Sequence, residues 1–217
     1  MKHLGATLVS LLLLLSTPTA LGQRQKKPSP PNPIDKIEAT GNFMANRFAG
    51  KWYLLSVASE CNYLKLHNHR AEATITQVTA SKKPKAGDTL TVSTFRKMDG
   101  ICWEIKHEYT ENKQKGKFLL RARGYGGPVD MVVGETDYNS YAILYYQRQR
   151  KLSMKLYGSL ALSYVPGRRT DLSNDIFSRF DELVAKQGMG LGSLYAFPSY
   201  GFCESADEFH ILDEVPE

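Results

Sequence analysis

From Phe48 onward the apolar residues fall in short runs, and the spacing within most runs is two. In Thr89–Arg96, Leu90 and Val92 share one face while Thr89, Thr91 and Ser93 share the other. Leu152, Met154 and Leu156 alternate in the same way with Ser153, Lys155 and Tyr157. Successive side chains of a strand point to opposite faces, so this period predicts strands. The predicted set is Gly50–Ser59, Ala71–Thr79, Thr89–Arg96, Ile101–Tyr109, Lys117–Arg123, Val129–Glu135, Ser140–Gln147 and Leu152–Tyr157. Turn chemistry separates them: Pro84 and Gly87, then Asp99-Gly100, where positive φ is tolerated, then Gly126-Gly127-Pro128. Short strands joined by hairpin-length loops point to an antiparallel sandwich or barrel. In Ser140–Gln147 both faces are apolar, with Tyr141, Ile143 and Tyr145 on one and Ala142, Leu144 and Tyr146 on the other. That suits a barrel wall that lines a cavity and also packs outward against a helix. One segment has a different period. Ile176, Phe177, Phe180, Leu183 and Val184 follow helical spacing after capping residues at Asp171 or Ser173, and Gly188 ends the run. A helix with a single apolar stripe is expected on the outside of the sheet.

Ahead of this pattern lie two segments of other character. Met1–Gly22 has Lys2, the apolar run "LVSLLLLL" and small residues at its end, which predicts a secretory signal peptide. Residues 23–41 form a Pro-rich, basic N-terminal arm that opens with "QRQKKPSPPNP" and predicts an extended spacer. The domain proper is then residues 42–217, expected to be secreted into the extracellular space. The formal net charge of +6 changes little in this picture. Lys2, Arg24, Lys26 and Lys27 all precede Ile34, and basic and acidic side chains nearly balance after it. No basic stripe of the kind that grips nucleic acid is evident, and no later apolar run is long enough to span a bilayer.

Catalytic patterns are not found in the sequence. It has no G-x-S-x-G, H-E-x-x-H or P-loop. His67 and His69 could face one side of an extended segment, but a zinc site needs three or four ligands. No metal and no cofactor are therefore implied. Glu135 and Asp137 suit the capping of backbone donors at a turn better than acid–base chemistry. Three cysteines remain, Cys61, Cys102 and Cys203. An oxidising compartment favours pairing, and residue types alone leave all three pairings open.

Two motifs add a resemblance. Gly50-Lys51-Trp52 opens the first strand, where a glycine permits a sharp approach and a tryptophan can plug a barrel end. Thr136-Asp137-Tyr138 sits at the turn between the sixth and seventh strands. Together with the strand rhythm and the helix after the eighth strand, they resemble the lipocalin family. The resemblance implies an all-β fold, an eight-stranded antiparallel up-and-down barrel (the lipocalin calyx) with a C-terminal α-helix packed outside. Gly50, Trp52, Thr136, Asp137 and Tyr138 would close one end. The family also places an arginine after the eighth strand, stacked on the tryptophan; "KLYGSLAL" has none, and Lys155 is near but not equivalent. Closure would then rest on packing.

Longer stretches, "HRAEAT", "VSTFRKMDGICW" and "YGFCESADEFHILDEV", resemble lipocalins that serve as subunits of a complement complex. That likeness implies a non-enzymatic chain with an intrachain bridge between Cys102 and Cys203. It also implies that Cys61 forms an interchain disulfide to the alpha chain of the same component, reaching through it the beta chain and the terminal complement components. A segment of the partner would dock at the barrel mouth. The commoner family role, a free carrier of a small lipophile, would use a pocket for which Phe95, Tyr109, Phe118, Leu120, Tyr141 and Ile143 are candidate lining residues. An isomerase role would need a reactive thiol inside the barrel, whereas Cys61 stands at a strand end.

Overall fold

The computed structural model describes residues 31–83, 87–121, 127–159 and 172–213. Eight antiparallel strands run up and down in chain order: β1 (Gly50–Ser59), β2 (Ile75–Lys83), β3 (Gly87–Met98), β4 (Ile101–Glu111), β5 (Lys117–Leu120), β6 (Val129–Thr136), β7 (Tyr141–Arg148) and β8 (Lys151–Gly158). Each pairs with its sequence neighbour, β8 pairs back onto β1, and β4–β5 completes the circuit. The chain is thus a closed eight-stranded barrel. Most strand bounds fall within two residues of those the alternation predicts. β2 is displaced, running Ile75–Lys83 rather than Ala71–Thr79 after a 3-10 turn at Asn68–Arg70, and β5 ends at Leu120. The predicted end of β5 at Arg123 lies outside the described residues.

Closure divides the side chains into two cores. The interior one holds Trp52, Leu54, Leu90, Phe118, Leu120, Met131 and Leu144. The outer one lies between the barrel wall and a helix, Asn174–Lys186. Phe180, Leu183 and Val184 of that helix pack on Ala58, Ile143, Met154 and Leu156. Ser173 is at its N-cap position; Asp171 lies outside the described residues.

The N-terminal arm departs from the sequence expectation. Residues from Pro33 to Thr40 are not a spacer but lie on the outer core. Ile34 and Ile37 are both buried there. The Ile34 N–H donates to Oε1 of the buried Gln147 at 2.9 Å, and the Thr40 N–H donates to the Val133 carbonyl at 2.8 Å. The packed domain therefore begins before residue 42, because two isoleucines find apolar surface that the Pro-rich composition does not advertise.

Three small elements were also not evident from periodicity. Helix Asn62–His67 fills the β1–β2 connection. Strand β9 (Leu194–Ala196) pairs with Ser56–Ala58 of β1, and β10 (Ile211–Asp213) lies parallel to Glu104–Lys106 of β4. Just ahead of β10, Cys203 is bonded to Cys102 on β4, with Cα atoms 5.7 Å apart across a sequence separation of 101.

One barrel end is plugged by a helical turn, Ala45–Phe48. Phe48 stacks on Trp52 with ring centroids 5.2 Å apart, and the Trp52 indole N–H donates to the Phe48 carbonyl at 3.0 Å. Phe43 meets Phe118 edge-on at 5.7 Å and stacks on Tyr138 at 6.0 Å. The Arg47 guanidinium lies 4.6 Å from the Tyr138 ring centroid, a cation–π contact. Phe48 thus packs directly against Trp52, so this end is closed by aromatic stacking. Gly50 has φ of 141° with nothing within 4 Å of a built Cβ. Backbone conformation, not a steric clash, calls for glycine there.

The Thr136-Asp137-Tyr138 turn is held by its own side chains. Asp137 Oδ1 accepts the backbone N–H groups of Asn139, Ser140 and Tyr141 at 3.0, 2.8 and 3.1 Å. Its other oxygen accepts from the Ser140 hydroxyl. Thr136 Oγ1 accepts the Tyr138 N–H at 3.0 Å and donates to the Tyr141 carbonyl at 2.7 Å. Partial burial would raise the Asp137 pKa, but these hydrogen bonds to the charged form outweigh it and hold the carboxyl below its ordinary value.

Two outcomes follow for stability. Phe180→Ala should cost about 3–5 kcal/mol in urea unfolding, since it empties the outer core under the helix. Asp137→Ala should cost about 2 kcal/mol at neutral pH. A depressed folded pKa adds stability above the unfolded value of about 3.9, and that stability is lost as pH falls through the folded value. The gap between Asp137→Ala and the parent chain should therefore narrow below about pH 4, and unfolding curves at pH 7 and pH 3 check it.

Candidate functional site: the open end of the barrel

The end opposite the plug is set by strand direction. Ser59, Arg96, Leu120, Val129, Arg148 and Lys151 all lie at or near strand ends on this side. Between them a cavity of about 1080 Å³ runs inward from the mouth. A second hollow of about 750 Å³ lies at the other end, beside Trp52 and the Asp137 turn and far from any thiol.

The cavity lining is mixed. Val92, Ile105, Leu120 and Val129 supply apolar surface on β3 to β6 among Thr94, Arg96, His107 and Tyr109, and Leu54 and Val57 add to it from β1. Tyr146, Ser153, Lys155 and Tyr157 form a polar side on β7 and β8. The Lys155 ammonium lies 4.6 Å from the centroid of the Tyr146 ring. Burial pushes the Tyr146 hydroxyl well above its ordinary pKa, reinforced by Tyr157 and Tyr109 beside it and by a hydrogen bond with Tyr157. The Tyr146 phenol therefore offers a hydroxyl, not charge, to an occupant. Lys155 stays beneath the mouth and does not reach Trp52.

Of the candidate lining residues, Tyr109 and Leu120 do line the cavity. Phe118 is in the interior core but lies against Phe43 near the plug. The other three face outward. Tyr141 and Ile143 belong to the core under the helix. Phe95 alternates with Thr94 and Arg96, which do line the cavity, so it stands on the outer face. The cause is the period of two: apolar character does not say which face is interior. Tyr146, Tyr157 and Lys155 were missed for the same reason. The alternation in "KLSMKLY" contains the last two, but its apolar half lies under the helix and its polar half lines the cavity.

Cys61 stands on the rim. It is exposed and unpaired, and it precedes helix Asn62–His67 with its N–H donating to Ser59 Oγ at 3.2 Å. On that helix Tyr63 and Leu66 are 66% and 68% exposed, so two large apolar side chains beside the thiol are left uncovered. Tyr63 stacks on His67 with centroids 4.6 Å apart, and His69 lies 6.5 Å further on. Among the described residues no group of three or more His, Cys, Asp or Glu could hold a metal, and no helix is long and apolar enough to cross a membrane.

Three comparisons bear on this geometry. Residues 49–195 match the model of the lipocalin / cytosolic fatty-acid binding protein family. The chain is 43% identical to the complement component C8 gamma chain of Oryctolagus cuniculus, over 94% of this chain and 95% of that one. It is 27% identical to protein AMBP of Bos taurus over 97% of this chain, which spans about 55% of that longer protein. Among solved structures, the siderocalin Ex-FABP superposes with a TM-score of 0.56 at 19% identity, covering 71% of this chain and 96% of that one, which supports the fold alone. A closed calyx with a Gly-x-Trp plug and a Thr-Asp-Tyr turn, matched over this length, leaves one conclusion: the chain belongs to the lipocalin / cytosolic fatty-acid binding protein family.

Proposed function

We propose that this chain is a secreted, non-enzymatic subunit of the complement membrane attack complex. In this reading Cys61 forms a disulfide with the alpha chain of complement component eight, and a segment of that chain docks at the barrel mouth. The observation that carries it is the position of Cys61: an exposed, unpaired thiol on the rim of the cavity, beside uncovered Tyr63 and Leu66. The likeness to the rabbit gamma chain supports this choice of partner. The chain contributes a docking calyx; any membrane insertion belongs to its partners. Once the thiol has reacted, docking of the segment becomes intramolecular, with an effective concentration on the order of millimolar for a short tether. Cys102 and Cys203, already bonded to each other, are left out of the exchange.

A second reading, a free carrier of a small lipophile, is favoured by the cavity itself. Its volume matches the upper end of small-molecule pockets, roughly 300–1,000 Å³. Extraction of the purified chain and mass spectrometry would reveal a stoichiometric lipophile if that role holds.

Co-expression with the alpha chain should give one band at the summed mass on a non-reducing gel and two bands after reduction. Cys61→Ser should abolish the joint band while leaving the Cys102–Cys203 bridge intact. Migration of the parent chain at its own mass without reductant would sink the linked-subunit reading.

A further inference from the structure

The calyx carries a charge imbalance that neither the fold nor the thiol accounts for. Arg96, Arg148, Arg150, Lys151 and Lys155 line the cavity or its mouth, and Glu60 is the single acidic residue among the described lining residues. Arg148 and Arg150 have contacts of their own. Among the described residues, Lys151, Lys155 and Arg96 have no carboxylate partner; Lys155 rests on the Tyr146 ring, and Arg96 meets only the Met98 sulfur at 3.5 Å. Some cations elsewhere do find carboxylates: Lys115 bonds Asp88 and Glu111, and Arg179 of the outer helix bonds Glu135 and Glu182. Lys151, Lys155 and Arg96 instead share one concave site with a single carboxylate in its described lining, where like charges focus the field and attract anions.

Resting on the docking reading above, we infer that the partner segment seated in the calyx is acidic and amphipathic. One carboxylate meets Lys155 between the Tyr146 and Tyr157 hydroxyls, and further carboxylates meet Lys151 and Arg96 at the rim. Its apolar side chains lie against Val92, Ile105 and Leu120. The spread of the cations favours a peptide over a lone head group. They run from the middle of β8 to the tops of β3 and β8, so an extended chain with several acidic groups can meet them all, whereas one carboxylate meets only one. The rim position of Cys61 supplies the covalent tie to such a chain.

The test uses Cys61→Ser as the parent, so that docking to the alpha chain is reversible, and measures affinity by surface plasmon resonance from 50 to 500 mM salt. Lys151→Glu and Lys155→Met should each weaken docking about tenfold, Lys155→Arg should preserve it, and the salt dependence should flatten in the first two. The exposed Lys151→Glu guards against misreading a folding defect at Lys155. If docking ignores both substitutions and salt, the acidic segment is wrong while the disulfide-linked subunit stands. The acidic segment is equally wrong if the native thiol links but Cys61→Ser shows no docking. If the native chain forms no linked species at all, the docking reading fails first and this inference with it. If native mass spectrometry finds a bound fatty carboxylate that Lys155→Met releases with docking unchanged, the occupant is a small anion and the inference is overturned.

Discussion

Everything in this molecule depends on the closure of one hydrogen-bonded ladder. The final pairing, Tyr109–Glu111 of β4 with Phe118–Leu120 of β5, is only three residues long. It nonetheless turns an eight-stranded ribbon into a barrel and removes the free edges that an open sheet would expose. Closure also makes alternation absolute. Each strand must send every second side chain inward, whatever its chemistry. Lys155 is inside the calyx because Met154 and Leu156 are outside it, under the helix.

The two ends of the barrel use this constraint differently. At the plugged end, aromatic rings fill the interior and side-chain hydrogen bonds satisfy the turn. Phe43, Phe48, Trp52, Phe118 and Tyr138 touch one another in series. Asp137 accepts three backbone N–H groups that would otherwise lack partners. At the open end the strands diverge in partner. β1 is bulged between Leu54 and Ser56, and its upper half pairs with β9 where β2 has left it. The long β1–β2 connection this releases carries Cys61 and the uncovered Tyr63 and Leu66. Rigidity at one end and an accessible thiol at the other are consequences of how one strand is shared.

The C-terminal segment adds a second layer to the same logic. The Cys102–Cys203 bond closes a long loop, which in the chain-entropy account stabilises by roughly 4–5 kcal/mol. It also delivers β10 alongside β4, where β5 is too short to pair. The outer helix and residues 33–40 complete the covering of the wall, with Ile34, Ile37 and Phe180 sharing one apolar surface.

Much of this was legible from residue order. Period-two patterning located all eight strands, period-3.6 patterning located the helix, and Gly50, Trp52 and the Thr136–Tyr138 turn marked the plugged end, because these signals are local. What the sequence could not determine was sidedness. Phe95, Tyr141 and Ile143 suit a pocket by chemistry and lie outside it; Lys155 suits the surface and lies within. Two faces of a strand are equivalent until the ladder closes and a helix covers one of them. The packing of Ile34 and Ile37, and the pairing of β9 and β10, were likewise decided only in the tertiary structure. Their partners are distant in sequence, and burial against a distant surface leaves no local periodicity to read.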